Sequence, residues 1–502
     1  MTTRVSCLAI WAALAGPAPG PHLEEVAKGV WAAGFSARFD SANCGWTVVG
    51  NETILIDLPR GIALDDFLPL VERRAGRPAR ALALTRLEPG DAATIEDLVR
   101  RGVRTVWTSE PLRRELVAAA PRLAAATSSK PGAGVQVVPL EGRAGAAVYL
   151  AAPAVLFAGP AVVNGPRSQL AGSDSALWIS SLRALTRLQA RHVVPGFGSW
   201  GGAALVDREL RFLTELRRQV AYAIAQGRPR ALVVGDIQIG ADYQVWMPYD
   251  NPAQEDIDWV YRELTVPSAP FGGRPPEPAD ARPHALVLVG DAPHEPGHLE
   301  EGLRPVFEAT GVVPHFTVDV RALAAENLAR VRLLVILRDG WMRPRTGEKS
   351  EYVWMTPGQE RAVVEFVERG GGFLNLHNAM GLYPADGPYL HLVGGRYIGH
   401  GPLERFRVEV VDPAHPITRG VTDFFSADEQ HTPPYDATRV HLLLRNRSDD
   451  GQSAAAGWAY EPGRGRLCHL ANGHTRESLL HPMYQRLMRN AVRWCLRLPE
   501  VE

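Results

Sequence analysis

The chain has 502 residues, enough for two to four domains at roughly 100–200 residues each. Hydrophobic residues make up 46% and charged residues 22%, a globular rather than a disordered mix, and four cysteines are too few for a disulfide scaffold. Lys+Arg 54 against Asp+Glu 55 leaves a net charge of -1, without the basic excess of a nucleic-acid binder, and no apolar run reaches the ~18 residues that cross a bilayer.

Residues 1–20 have the layout of a secretory signal peptide. Arg4 is the positive start, Val5 to Leu14 the apolar stretch, and Ala13-Leu14-Ala15 the cleavage cue. The expectation is an exported, periplasmic protein; an apolar N-terminal helix, and with it a cytoplasmic protein, fits the same residues. Cleavage would remove Cys7. Cys44, Cys468 and Cys495 have no C-x-x-C spacing and read as small buried hydrophobes.

Strand-like runs follow at GWTVVG (45–50) and ETILIDLP (52–59), then a helical stretch at 64–75 and a short apolar run, ALALTRL (81–87). DAATIEDLVRRG (91–102) has helical spacing, and VRTVWTS, VQVVPL, AAVYLAAP and AVLFAGP read as further strands. A helix over 173–188 leads into HVVPGFGSWGG (192–202). Strands alternating with helices predict a mixed α/β domain. Residues 203–265 look like a helical extension of it. The aromatics Tyr243, Trp246, Tyr249, Trp259 and Tyr261 there suit packing better than sugar stacking. Residues 266–283, VPSAPFGGRPPEPADARP, are dense in Pro and Gly and mark a linker.

Beyond the linker, HALVLVGDA (284–292), PHFTVDV (314–320), RLLVILRDG (332–340) and GGFLNLHNA (371–379) are short apolar strands. Amphipathic helices lie between them at about 298–310 and 358–371. That alternation predicts a doubly wound parallel sheet with its site at the carboxyl ends of the strands. Of 15 histidines, all but His22 and His192 lie beyond residue 283, many of them in glycine-flanked loops.

The order over roughly residues 23–203 resembles the metallo-β-lactamase fold, an αββα sandwich, so that 23–265 would be one such domain with its helical extension. The resemblance rests on ILID ending at Asp57, the loop beginning at Thr85, FAGP at 157–160 and PGFG at 195–198. In that family the loop reads T-H-x-H-x-D-H and binds zinc. Here Arg86, Glu88 and Asp91 stand where histidines would, and Gly90 where the aspartate would. Arg143, Pro160 and Phe197 replace the later ligands. Arginine is always protonated, and proline and phenylalanine offer no ligand atom. The resemblance therefore implies a degenerate, catalytically dead frame with no metal expected. Should the alignment fail, this half is simply another α/β domain.

The second half resembles the ThuA-like (trehalose-utilisation) family, whose fold is that of class I glutamine amidotransferases. Five motifs carry the likeness in order: GGGFLNLHNA (370–379), LVGGRYIGH (392–400), DPAHPITRGVTDF (412–424), ADEQ (427–430) and GRGRLCHLANGHT (463–475). The family implies a link to disaccharides and their oxidised derivatives, and some members look able to hold a divalent metal. His377 occupies the strand-to-helix elbow where an amidotransferase carries its cysteine, so thiol chemistry is excluded. The candidate catalytic residues are His377, His474, Asp428 and Glu429. Asn378, His400 and His298 are candidates for substrate contact. His294, Glu429 and His474 could instead ligate a zinc-like ion. Each has a plainer reading: a histidine satisfied by backbone, or, for Asp428 and Glu429, a solvated acidic turn. His415 reads as part of a turn.

The leading expectation is an enzyme acting on a carbohydrate by hydrolysis, isomerisation or enolisation, with no nucleic-acid partner. A homo-oligomer is compatible with it. The rivals are a non-catalytic carbohydrate-binding or scaffold protein, and a metal hydrolase in the first half using Glu88, Asp91 and Asp174.

Overall fold

The structure is a computed structural model. It describes residues 22–34, 42–132, 134–142, 145–164, 170–237, 253–265, 281–342 and 352–499. The signal-like segment, Arg143, residues 266–280 of the linker, and Tyr243, Trp246 and Tyr249 lie outside the described residues. The chain divides into two compact units, Met1–Leu216 with Gln238–Asp256, and Arg217–Ile237 with Ile257–Glu502. The extension expected over 203–265 is therefore shared between the units rather than belonging to the first alone.

In the first unit, one sheet runs β1 (His22–Ala27), β2 (Val30–Gly34), β3 (Cys44–Val49), β4 (Glu52–Ile56), β5 (Ala79–Ala83), β6 (Thr105–Trp107) and β7 (Thr127–Ser128), in that spatial order. Pairing is antiparallel as far as β4 and parallel from β4 to β7. Helices α1 (Leu64–Ala75), α2 (Asp91–Arg100) and α3 (Glu110–Ala119) connect the parallel strands. The second sheet holds β8 (Val135–Leu140), β9 (Gly145–Leu150), β10 (Val155–Asn164) and β11 (His192–Gly198), with α4 (Ser175–Thr186) crossing between the parallel pair β10 and β11.

Side chains on a strand alternate faces, so one strand can serve two cores. Leu55, Leu82 and Leu84 pack with Trp46 against Phe67, Val71, Ile95 and Leu98 of the helices. Their neighbours Ile54, Ile56, Ala81 and Ala83 pack against Val148, Leu150, Phe157 and Val194 of the second sheet. Trp178 of α4 donates its indole N–H to Ala161 O at 3.1 Å, closing the far side. The layers are therefore helix, sheet, sheet, helix.

Among the described residues, three helices follow, α5 (Ala204–Ala225), α6 (Arg230–Asp236) and α7 (Ala253–Thr265). The second unit then runs β12 (His284–Val289), α8 (Pro296–Thr310), β13 (Val313–Thr317), α9 (Ala325–Leu328), β14 (Leu333–Leu337), the small hairpin β15 (Trp341–Met342) and β16 (Tyr352–Val353), α10 (Pro357–Glu368), β17 (Gly372–Leu376) and α11 (Pro388–Val393). It closes with β18 (His400–Val410), β19 (Phe424–His431), β20 (His441–Arg447), β21 (Ser453–Tyr460), β22 (Arg466–Leu470), α12 (Arg476–Leu480) and α13 (Pro482–Leu496).

The main sheet has the order β13-β12-β14-β17-β22-β21-β20-β18-β19. Its first five strands are parallel, as the alternation of strands and helices requires. They are covered on both faces: Val287, Val335 and Leu337 meet Leu303, Leu487 and Met488, while Leu286, Leu334 and Ile336 meet Val363, Val367 and Tyr389. Four antiparallel strands extend this parallel core. The sequence pattern did not announce them, and they place Asp428 and Glu429 on a strand rather than in the turn considered for them. Cys44, Cys468 and Cys495 are buried free thiols, and burial raises all three pKa values.

Candidate functional site

Four strand ends of the parallel core supply polar side chains. After β12 the chain turns through Gly290 and Asp291 to His294. After β14 come Arg338 and Asp339, after β17 His377 and Asn378, and after β22 Asn472, Gly473 and His474. This is where a doubly wound sheet leaves its loops open to a ligand. His377 sits at φ 48°, a left-handed conformation that turns the chain sharply at the end of β17. Gly473, at φ 133°, does the same after β22.

These turns bring the imidazoles together. His294 Nε2 lies 3.1 Å from His377 Nε2 and 2.9 Å from His474 Nδ1. Glu429 of β19 joins from the antiparallel half, its Oε2 3.4 Å from His474 Nδ1 and 3.7 Å from His377 Nε2. Among the described residues, one group of His, Cys, Asp and Glu side chains has ligand spacing: His294, His377, Glu429 and His474, with ligand atoms all within 4.8 Å of one another.

The outer nitrogens settle which atoms face inward. His294 Nδ1 is 2.6 Å from Asp291 Oδ1 and donates to it. His377 Nδ1 donates to Ala471 O at 2.9 Å. In the neutral rings this leaves a lone pair on each Nε2, and the two lone pairs face each other. Such an arrangement is stable only with a positive charge between them, a proton or a cation. Anchoring the distal N–H on a carboxylate or carbonyl is also how ligating histidines are held.

Buried partners reinforce this. Asp291 accepts from the Asn378 side-chain amide at 2.7 Å and from Asp339 N at 2.9 Å. Burial opposes both charges of the Asp291–His294 pair, but their attraction prevails. Asp291 is held down to about 2, helped by the nearby Arg338 guanidinium, and His294 is raised. Burial drives His377 well below its ordinary value, and the neighbouring His431 and His294 add to the effect. His474 is lowered by burial and by His294. Glu429 ends lowered: burial alone would raise it, but His431, His474 and His400 outweigh that.

Asp428 does not enter the centre. Alternation along β19 turns it toward the loop after β22, where it accepts from Gly473 N at 2.8 Å and His474 N at 3.2 Å. It also accepts from Glu429 N at 2.8 Å. Burial raises it to about 6 despite these bonds. Its place is that of an anchor for the His474 loop, not of a group facing substrate.

Asn378 gives its side-chain N–H to Asp291 at 2.7 Å, and its Oδ1 is buried without a hydrogen-bond partner among the described residues. His298, in the first turn of α8, stands outside the ligand group, with Nδ1 3.9 Å from Glu295 Oε2. His400, at the start of β18, does reach the centre, with Nε2 3.6 Å from Glu429 Oε2. His415 lies in a turn, its ring accepting from Ile417 N at 3.2 Å. Sequence reasoning missed Asp291. The signal was there in Gly290-Asp291-Ala292-Pro293-His294, an aspartate three residues before a histidine directly after a strand.

In the first unit, the loop expected to have lost its ligands is filled by an ion-pair cluster. The Arg86 guanidinium is buried and donates to Asn43 O at 2.9 Å and Gly196 O at 3.4 Å. It lies 3.8 Å from Asp57, 3.5 Å from Glu88 and 5.3 Å from the centre of the Phe197 ring. Arg60 clamps Asp91 at 2.7 and 2.9 Å and reaches Glu88 at 3.1 Å. Gly90, at φ 92°, precedes α2 as its N-cap, and Pro160 lies within β10. Asp174, considered as a further ligand, instead caps α4 by accepting from Leu177 N at 3.0 Å.

The second unit is thus an open α/β sheet with a histidine–carboxylate centre at the carboxyl ends of its parallel strands. Residues 284–495 match the model of the ThuA family, described as trehalose utilisation. Among solved structures, a ThuA-like protein from Bacteroides uniformis ATCC 8492 is similar at 21% identity, over 44% of this chain and 95% of that one, with a TM-score of 0.35. The DIM-1 metallo-β-lactamase is similar at 18% identity, over 40% of this chain and 99% of that one, with a TM-score of 0.34. A metallo-β-lactamase from Pontibacter korlensis is similar at 19% identity, over 38% of this chain and 98% of that one, with a TM-score of 0.32. No curated protein matches the chain.

Proposed function

We propose that the second unit holds a divalent, zinc-like cation through His294, His377, Glu429 and His474 and acts there on a carbohydrate, a disaccharide or an oxidised sugar. The observation that carries the metal is the convergence of lone pairs on His294 Nε2 and His377 Nε2, 3.1 Å apart, with both Nδ1–H groups engaged elsewhere. Three imidazole nitrogens and one carboxylate oxygen suit zinc and similar ions. The sugar rests on the family's description.

The cation would polarise a sugar carbonyl or lower the pKa of a bound water. The chain's own groups do the rest. Asp291 fixes the tautomer and orientation of His294, and Ala471 O does so for His377. Asp428 pins the loop that presents His474. The side chains of His474 and His400 are 25% and 33% exposed, so substrate enters from their side.

The first unit acts in this reading as a non-catalytic frame, because Arg86 and Arg60 already neutralise the acids that a metal would need. An export signal lies within residues 1–20 in this reading, and N-terminal sequencing of periplasmic protein is expected to find a chain beginning after Ala15.

Metal content and turnover of ketoglycosides and disaccharides by the purified full chain test the main reading. At least one equivalent of metal and its loss in His294→Ala, together with turnover, are expected. Turnover that survives complete chelation would favour a rival in which His294 passes a proton to His474 across their 2.9 Å contact. A chain with neither metal nor turnover would favour the scaffold.

A further inference from the structure

The loop between β12 and α8, which carries Asp291 and His294, is gripped from outside the centre. It first closes on itself: Asp291 N donates to His294 O at 3.1 Å, and His294 N to Asp291 Oδ1 at 3.0 Å. The carbonyls of the residues on either side of Asp291 are then both taken by side chains. Arg338 Nη1 donates to Gly290 O, and the Tyr222 hydroxyl donates to Ala292 O at 2.9 Å. Tyr222 lies in the last turn of α5, in the part of that helix that belongs to the second unit.

The same helix end holds Arg338. Its Nη2 donates to Ala225 O at 3.0 Å, one of the carbonyls that a helix leaves unpaired at its C-terminus. The negative end of the helix dipole favours a cation there. Arg338 is 0% exposed, and its Nε is buried with no hydrogen-bond partner among the described residues. A buried guanidinium that ends on carbonyls, with one N–H left over, is a poor source of stability. Its position does something else: the positive charge attracts Asp291, the carboxylate that fixes the His294 tautomer. Tyr222 and Ala225 precede residues 284–495, so the grip comes from a segment outside the family match.

We propose that Arg338 and Tyr222 are positioning residues for the metal centre: they tie the end of α5 to the β12–α8 loop and so hold His294 Nε2 where His377, Glu429 and His474 converge. A ligand already in place binds an ion more tightly, because its loop need not be ordered at the moment of binding. The last turn of α5 thereby becomes part of the support of the centre. The inference rests on the metal reading above.

The test is Co²⁺ binding by the full chain, stripped with chelator and reloaded, read by competition and by the visible absorption of the bound ion. Tyr222→Phe removes one oxygen atom. Arg338→Met keeps the reach of the side chain without its charge or donors, and Arg338→Lys keeps the charge. Tyr222→Phe and Arg338→Met are expected to bind Co²⁺ about tenfold more weakly than the wild type, with a shifted visible band, and Arg338→Lys to lose less. A role in packing alone would lower the Tm and leave the band where it was. If Arg338→Met does not fold, Tyr222→Phe still decides. Wild-type affinity and spectrum in both variants overturn the proposal and leave the metal reading standing, and such a result in one variant removes that residue from it. A wild type that binds no Co²⁺ overturns both.

Discussion

At the scale of single residues, the centre depends on groups that never touch a ligand. Asp291 is 0% exposed, and its work is to hold one proton on His294 Nδ1. In Asp291→Asn the charge is lost, and the amide can present its N–H to the ring instead of accepting from it. The tautomer that points a lone pair inward is then no longer favoured. Loss of such a supporting carboxylate typically costs about 10–100-fold in metal affinity. Competition against a chromophoric chelator should read that loss, while the circular dichroism spectrum stays unchanged.

His469 gives a second prediction at this scale. It is buried between Asn375, whose Oδ1 is 2.6 Å from its Nδ1, and Trp458, with centroids 4.4 Å apart. Burial lowers its pKa to about 3. The folded ring stays neutral while an unfolded one, near its ordinary value of about 6.5, takes up a proton as pH falls. Stability is therefore retained above about pH 6.5 and lost toward pH 3, by up to about 1.4 kcal/mol per pH unit from this residue. The Tm of metal-free His469→Gln should fall less steeply between pH 7 and pH 4 than that of the wild type.

At the scale of elements, the centre is set by where strands stop. Gly473 has room for a methyl group, since a Cβ there would meet His377 and Leu479 no closer than 3.5 Å. Its φ of 133° is nonetheless one that side chains avoid. Gly473→Ala should cost about 1–3 kcal/mol if the backbone is held, or displace His474 if it yields. A thermal melt together with a metal titration separates the two, and an unchanged result in both would show the turn to be freely adaptable. The parallel strands were legible because their continuous apolar runs, such as Leu333–Leu337, have no other home than a sheet buried on both faces. The antiparallel strands were not. On β18 the outward positions are charged, Arg405 and Arg407, and the inward Phe406 and Val408 are two residues in a polar stretch. The site divided in the same way. His294, His377 and His474 stood out in glycine-flanked loops, whereas the contrast between Asp428 as anchor and Glu429 as proposed ligand depends on knowing that they alternate on a strand.

At the scale of the whole molecule, two units of different character share one chain. In the first, Arg86 and Arg60 stand among Asp57, Glu88 and Asp91 whatever the medium contains. The second, in the proposed reading, leaves its lone pairs for a cation from solution. Metal should therefore stabilise one unit and not the other. At 100-fold excess over Kd the gain is about 2.7 kcal/mol. Hydrogen exchange with and without Zn²⁺ should show slowed amides in residues 284–495 and unchanged amides in residues 42–132. Equal protection in both would show that the ion binds elsewhere or that the units unfold as one.

The buried cysteines carry a practical consequence. Cys44 lies in the first unit and Cys468 and Cys495 in the second, all three shielded and protonated in the native state. An alkylating reagent can reach them only when the surrounding layers part. Peptide mapping of the modified chain would then time the opening of each unit separately, without any engineered label.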